Sequence, residues 1–95
     1  MKVVLADNQE VTITSANRSY NFNEEKYSMT LDVDSSVAID EAVELFTQKN
    51  CEDMTIKRDG KEDIIIKDEG WNLSNILEIV FEQENHVSVI FEKAK

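Results

Sequence analysis

The sequence of 95 residues has no proline, two glycines, one cysteine and one histidine. Gly60 and Gly70 lie too far apart to form the glycine-rich loops that hold phosphate groups. One cysteine excludes an internal disulfide, and Cys51 with His86 supplies too few groups for a zinc site or an oriented nucleophile. We interpret His86 as an exposed turn residue and Cys51 as a small, half-buried residue after a helix. We therefore expect no catalytic residue, no metal, no cofactor and no enzymatic activity.

Positive charge is also scarce, because 10 Lys and Arg residues stand against 20 Asp and Glu residues, a formal net charge of -10. This charge opposes binding to phosphate backbones and anionic lipids, so we expect no direct contact with nucleic acid or membrane. A basic protein is the partner that the charge favours. No segment approaches the roughly 18 consecutive apolar residues of a membrane span, and MKVVLADNQE lacks the apolar run of a signal peptide. The expected compartment is the cytoplasm.

Apolar residues make up 41% of the chain and fall into periodic runs, which predicts a single folded domain over residues 1–95. Residues 1–15 have the pattern of a hairpin. Val3 and Leu5 alternate on the first strand, and Val11 and Ile13 answer them on the second. The polar stretch Ala6–Gln9 is the predicted turn, because Asp and Asn tolerate a left-handed backbone.

A third strand and one helix are predicted next. The strict alternation from Lys26 to Val33 is typical of a strand with one buried face. The following apolar residues have the spacing of one helical face: Ile39, Ala42, Val43 and Phe46. The candidates for the helix N-cap are Asp34, Ser35 and Ser36. We expect this helix to end near Asn50 and to pack on the sheet, with Phe46 as its main core residue.

The period then changes to two, which predicts another hairpin. Met54 and Ile56 alternate on its first strand, and Ile64 and Ile66 alternate on its second. A two-residue turn would place these pairs on opposite faces. A three-residue Arg58–Gly60 loop places all four on one apolar face and needs its glycine in the left-handed conformation. We predict the three-residue loop.

The stretch Leu73–Gln83 fits both a helical and a strand pattern. Its β-branched residues and the clearer strand His86–Glu92 favour a final hairpin, turned at Glu84, Asn85 and His86. The chain therefore predicts an α+β fold, a mainly antiparallel sheet of about six or seven strands with one helix packed on it. The predicted order is β-β-β-α-β-β-β-β.

The candidate binding residues are acidic and aromatic. Ala16–Glu25 is the least regular part of the chain. Its two aromatic residues at strand spacing, Tyr20 and Phe22, either pin a loop or short strand onto the sheet or anchor a protein partner. Rows of carboxylates on a sheet or helix can imitate the charge of a nucleic-acid backbone, although a solvated surface has the same pattern. The predicted partner-binding residues are Tyr20, Phe22, Glu24, Glu25, Asp32, Asp34, Asp40, Glu41 and Glu44.

The segment SSVAIDEAVELFTQKNCEDMTIKRDGKEDIIIKDEGW, together with the Val-Ser-Val-Ile-Phe strand near residue 90, resembles small proteins encoded by phages and prophages of Gram-positive bacteria. Those families include virion and tail accessory proteins and small acidic inhibitors of host defence, such as anti-CRISPR proteins. The resemblance has no defining functional motif, so it assigns no residue a role.

Charge, size and the resemblance lead to one hypothesis and one alternative. The hypothesis is a non-catalytic, anti-CRISPR-like inhibitor in the host cytoplasm, which occupies a basic nucleic-acid-binding surface by mimicking nucleic acid. A Cas9-type nuclease is a plausible partner, because its nucleic-acid channel is positively charged. The alternative is a virion or tail component that assembles through its sheet edges.

Overall fold

The computed structural model describes residues 1–81 and 84–94. Its elements, in chain order, are β1 (Lys2–Val4), β2 (Glu10–Asn21), β3 (Lys26–Val33), α1 (Ile39–Leu45), α2 (Gln48–Glu52), β4 (Thr55–Lys57), β5 (Ile64–Ile65), α3 (Ile66–Glu69), β6 (Asn72–Phe81) and β7 (Glu84–Ala94). The strands form one seven-stranded antiparallel sheet in the order β5-β4-β1-β2-β3-β7-β6. This confirms the predicted α+β class and the mainly antiparallel sheet. The single predicted helix is wrong, because this part of the chain contains three short helices.

The core lies between one face of the sheet and the helices. Met29 and Leu31 of β3 lie opposite Phe91 and Val89 of the neighbouring strand β7, and all four are buried. The remaining buried apolar residues of the core are Val3, Leu5, Val11, Ile13, Val33, Ala42, Phe46, Cys51, Met54, Ile56, Ile64, Ile66, Trp71 and Val87. The alternation in β3 thus predicted correctly which of its side chains are buried between Met29 and Val33.

The predicted helix is interrupted, and two short helices take its place. Phe46 leaves the helical conformation (φ -92°, ψ 65°), and the Thr47 side chain accepts a 3.1 Å hydrogen bond from the Asn50 amide to begin α2. The bend turns Phe46 into the core with 1% exposure, whereas Val43 remains 52% exposed. Val43 was therefore wrongly predicted to belong to the buried face.

The predicted cap of this helix is also wrong. Ala38 occupies the N-cap position of α1 without a side-chain hydrogen bond. Asp34 instead accepts a 3.0 Å hydrogen bond from the Ser36 amide, forming a local turn before the helix. Asp, Ser and Thr favour turns and caps equally, so the sequence alone does not separate the two uses.

The N-terminal hairpin is as predicted, but its second strand is longer. The turn has Asn8 at φ 67°, with the Gln9 amide donating to the Asp7 carboxylate at 3.0 Å. Ala16–Glu25 is not an irregular loop, since β2 continues to Asn21 and pairs with β3 as far as Asn21 opposite Lys26. An irregularity in the pairing between Ile13 and Ser15 shifts the side-chain alternation. Because of this shift, and because both faces carry polar side chains, the sequence of this strand does not alternate between apolar and polar residues.

The β4–β5 hairpin has the predicted apolar face and a longer loop. Met54, Ile56, Ile64 and Ile66 are all buried, and the glycine of the loop is left-handed, with φ 69°. β4 ends at Lys57 and β5 begins at Ile64, which leaves six residues, 58–63, in the connection instead of the predicted three. The Arg58 guanidinium donates a 2.8 Å hydrogen bond to the carbonyl of residue 62 and closes the longer loop.

The stretch after Trp71, which fits both a helical and a strand pattern, is a strand as far as Phe81. The part of Leu73–Gln83 beyond Phe81 lies outside the described residues. The predicted turn at Glu84, Asn85 and His86 is wrong, because all three belong to β7 and lie opposite Phe81, Val80 and Ile79. His86 is therefore a strand residue with partial exposure. β7 extends to Glu84 because its first residues pair with β6. The local sequence pattern does not reveal this pairing.

Candidate protein-binding surfaces

The nine predicted partner-binding residues do not form one surface. Tyr20, Phe22, Glu24 and Glu25 lie at the β2–β3 turn. Asp32 and Asp34 lie at the other end of β3, which is followed by α1 with Asp40, Glu41 and Glu44. At about 3.3 Å per residue, Asp32 lies about 20 Å along β3 from Lys26 beside the turn. Each group has to be judged by itself.

The aromatic group is an exposed cluster that includes one residue missed in the sequence. The Tyr20 ring lies 5.3 Å from the Phe22 ring in an edge-to-face arrangement and 4.7 Å from the Tyr27 ring. Phe22 is 85% exposed at the turn. Tyr20 and Tyr27 lie directly opposite each other across β2 and β3. Cross-strand aromatic pairs stabilise a hairpin, so this cluster first serves to hold the turn together.

A cationic cleft of about 530 Å³ adjoins this cluster and is lined by Arg18, Ser19, Tyr20, Tyr27, Trp71 and Lys93. The Lys93 ammonium lies 4.6 Å from the Trp71 ring and 5.6 Å from the Tyr27 ring. It also donates a 3.2 Å hydrogen bond to the Glu69 carbonyl.

The carboxylate of Glu69 contacts residues that line the cleft. The Trp71 indole donates a hydrogen bond to it at 3.2 Å, and an Arg18 nitrogen lies 3.7 Å away. The cations are therefore engaged in linking β2, α3 and β7. Sequence reasoning missed this cleft because its residues come from distant segments.

Of the two acids at the β2–β3 turn, Glu24 is compensated by Lys26. Its ammonium lies 3.1 Å from a Glu24 oxygen and 2.8 Å from a Glu92 oxygen. Hydrogen bonds to Glu92 and then Glu24 raise the pKa of Lys26, and the same contact with Lys26 lowers the pKa of Glu92. Glu25 is exposed, and its own backbone has the left-handed conformation, with φ 51°. This group is a weak candidate for an acidic binding surface.

Asp32 is part of a hydrogen-bonded cluster on the sheet face opposite the core. The hydroxyls of Ser88 and Ser15 donate to its two carboxylate oxygens at 2.6 Å and 2.7 Å, and His86 Nε2 lies 3.8 Å away. Partial burial opposes ionisation, but these hydrogen bonds and the nearby histidine outweigh it, so the pKa of Asp32 is lowered. With its oxygens already occupied, Asp32 joins neighbouring strands instead of presenting a free charge.

The carboxylates of α1 face solvent, and in the described part of the chain they make no ion pair, in contrast to Glu24 and Asp32. Asp40, Glu41 and Glu44 are exposed, and none of the ion pairs found in residues 1–81 and 84–94 includes them. Asp40 and Glu44 lie one helical turn apart, and exposed Val43 lies beside them. We call these four residues, Asp40, Glu41, Val43 and Glu44, the α1 acidic surface.

Nucleophilic and metal chemistry has little basis in the described residues. Cys51 is more buried than expected, at 2% exposure, and burial raises the pKa of its thiol to about 12. Across the described ranges, no group of three or more His, Cys, Asp or Glu residues is placed to hold a metal ion. Within the same ranges, no helix is long and apolar enough to cross a membrane.

Comparison with known proteins identifies no relative, since no family model, no curated protein and no solved structure matches the chain. The resemblance to phage proteins therefore remains a prediction from the sequence. A function has to be argued from the surfaces described above.

Proposed function

We propose that this protein is a non-catalytic inhibitor that binds a basic, nucleic-acid-binding surface of another protein through the α1 acidic surface. The observation that carries the proposal is the contrast between acids. Carboxylates of the sheet, such as Glu10, Asp32 and Glu92, bond to lysine or serine side chains. Asp40, Glu41 and Glu44 of α1 lie outside every ion pair in the described part of the chain.

Uncompensated charge of this kind favours a basic partner for two reasons. A chain with net charge -10 is attracted to a positive cleft over a distance of about a Debye length, which accelerates association. At contact, the three carboxylates can accept hydrogen bonds from Arg or Lys without first breaking an internal ion pair. Val43, at 52% exposure, supplies an apolar contact among them, the kind of residue found at the centre of an interface.

A Cas9-type nuclease is the partner class that we propose to test first. Its channel for the guide–target duplex is positively charged and recognises the backbone instead of the base sequence. An acidic surface can compete for such a channel without reproducing any base contact. The resemblance of the sequence to phage-encoded inhibitors supports this choice of partner.

The test is a binding titration with purified nuclease and a triple variant of the α1 acidic surface, Asp40→Asn, Glu41→Gln and Glu44→Gln. If each ion pair contributes about 0.5–1 kcal/mol, their loss weakens binding by roughly tenfold to a hundredfold. Wild-type binding should also weaken as salt is raised, because salt screens the attraction.

The matched control neutralises three exposed acids elsewhere, Glu25→Gln, Glu62→Gln and Asp68→Asn, and so changes the net charge equally. It should retain most of the affinity. Equal loss in both variants would mean that only net charge matters and would contradict the proposed surface. Absence of binding to every basic nucleic-acid enzyme tested would refute the inhibitor function, and co-sedimentation with phage particles would favour a virion component.

A further inference from the structure

We propose that the edge strand β6 pairs with β6 of a second copy of this chain, so that two sheets join into one continuous antiparallel sheet. β6 lies at one end of the strand order and pairs with β7 on its inner side. Within residues 1–81 and 84–94, no strand pairs with its outer side. An edge of this kind presents unpaired backbone amide and carbonyl groups, which are a template for another strand.

The two edges of the sheet differ in how well they are protected. β5 at the opposite edge has two residues and is followed at once by α3. β6 has ten residues, and the irregularity in its pairing lies near its start, between Leu73 and Asn75. Short edge strands and bulges discourage further pairing, whereas a long regular edge permits it. The stretch from Asn75 to Phe81 is therefore the regular part of this edge, in which the Ile76 amide already donates to the Asn75 side chain at 2.9 Å.

The composition of β6 indicates a second copy as the occupant. Its sequence NLSNILEIVF contains one ionisable residue, Glu78, in a chain with 30 charged residues, 10 basic and 20 acidic. Leu77, Ile79 and Val80 are 40%, 39% and 67% exposed. Two copies that each carry a net charge of -10 repel each other, so they can meet closely only where the surface carries little charge. The β6 edge is such a surface, whereas a basic partner gains most at the α1 acidic surface.

A two-fold axis through the seam restricts the register. With the axis at Glu78, the two carboxylates would lie directly opposite each other, which is destabilising. With the axis at Leu77, Leu77 lies opposite its own copy, Glu78 lies opposite Ile76, and Ile79 lies opposite Asn75. This register pairs Asn75–Ile79 of the two copies and avoids the irregularity between Leu73 and Asn75. Leu77 and Ile79 of both copies then form an apolar patch on the face opposite the core. We assign the register centred on Leu77.

The first measurement is the molar mass of the intact protein by sedimentation as a function of concentration and salt. The expected result is a monomer–dimer equilibrium whose dimer becomes tighter as salt is raised, because salt screens the repulsion between two acidic copies. Binding of a basic partner has the opposite salt dependence, so the two proposals fail separately. A protein that remains monomeric at its highest soluble concentration would overturn the dimer.

The variant Leu77→Lys places two like charges opposite each other at the axis and should give a monomer. Val43→Lys is the matched control, because it makes the same change at an exposed apolar residue of α1 and should leave the dimer intact. A Leu77→Lys protein that still dimerises, or a Val43→Lys protein that does not, would contradict the assignment.

Cross-linking gives a readout that does not depend on weakening the fold. Leu77→Cys should form a disulfide-linked dimer when a thiol oxidant such as diamide is added, since residues directly opposite across an antiparallel pair have the required spacing. The native Cys51 does not compete, because it is buried. Val43→Cys is the control and should remain monomeric. Equal cross-linking of both variants would indicate random collision and overturn the register.

Discussion

Replacing Phe46 by alanine is the sharpest test of how the helices are held on the sheet. Phe46 is 1% exposed and lies at the bend between α1 and α2. Removal of a fully buried phenylalanine costs about 3–5 kcal/mol, from lost burial and from the cavity that remains. A domain of this length has about 5–14 kcal/mol of stability in total, so the change removes a large share of it.

The matched control is Val43→Ala, because the helical pattern places Val43 and Phe46 on the same face. In the structure Val43 is 52% exposed, so its truncation should change stability by less than about 0.5 kcal/mol. Alanine also favours a helix more than valine does, which offsets part of any loss. The two substitutions are therefore expected to differ by about tenfold in free energy.

Urea unfolding followed by circular dichroism measures both effects. With an m-value of about 1.5 kcal/mol/M, Phe46→Ala should lower the midpoint by roughly 2–3 M, and Val43→Ala should leave it nearly unchanged. An equal effect of both substitutions would refute the bend at Phe46 and support one continuous helix. A loss below about 1 kcal/mol for Phe46→Ala would refute its role in the core.

Three further predictions concern the hydrogen-bonded carboxylate, the thiol and the loop glycine. The lowered pKa of Asp32 contributes stability above its unfolded pKa that is lost as pH falls through the folded pKa, so Asp32→Asn should flatten the acid side of a stability-against-pH curve. Wild-type and variant curves of identical shape would contradict this. Cys51, with a thiol pKa of about 12 and 2% exposure, should resist iodoacetamide at neutral pH until urea unfolds the protein, and rapid alkylation of the native state would disprove its burial. Gly60→Ala should destabilise by about 1 kcal/mol because φ is 69°, although no atom lies within 4 Å of the added methyl, and an unchanged urea midpoint would contradict the strain.

Strands with strict alternation were predictable from the sequence. The bounds of β3 are those predicted, Lys26–Val33, and Met29, Leu31 and Val33 are buried as the alternation indicates. Tyr27, which the same alternation places on the buried face, is 39% exposed. The face shared by Met54, Ile56, Ile64 and Ile66 was also predictable, because any register of the correct parity gives the same buried set. In both cases the information is local.

Features that depend on contacts between distant segments were not predictable. Ala16–Asn21 is a strand because β3 pairs with it, and in its own polar sequence only the spacing of Tyr20 and Phe22 indicates a strand. The interruption at Phe46 and Thr47 depends on how one aromatic side chain reaches the core. The cleft beside Lys93 joins residues from β2, β3 and β7 with Trp71, which no single stretch of sequence reveals.

The candidate binding residues also include some that the local sequence pattern describes correctly and one that it does not. The sequence identified Asp40, Glu41 and Glu44 correctly as solvent-facing acids, because each lies on the polar side of a helical pattern. It grouped Asp32 with them, since a pattern of carboxylates shows charge but not hydrogen bonds. Ser15 and Ser88 lie 17 and 56 residues from Asp32, too far along the chain for a local pattern to associate them.

The strand order has a consequence for synthesis and folding. β7 ends about 60 residues after β3, yet the two strands lie side by side in the sheet. At about 5–20 residues per second, translation leaves β3 without this neighbour for roughly 3–12 s, with Met29 and Leu31 uncovered. Such a high contact order predicts folding in milliseconds to seconds and exposure of the nascent chain to aggregation or to chaperones. The nascent chain can complete its core only when β7 has left the ribosome.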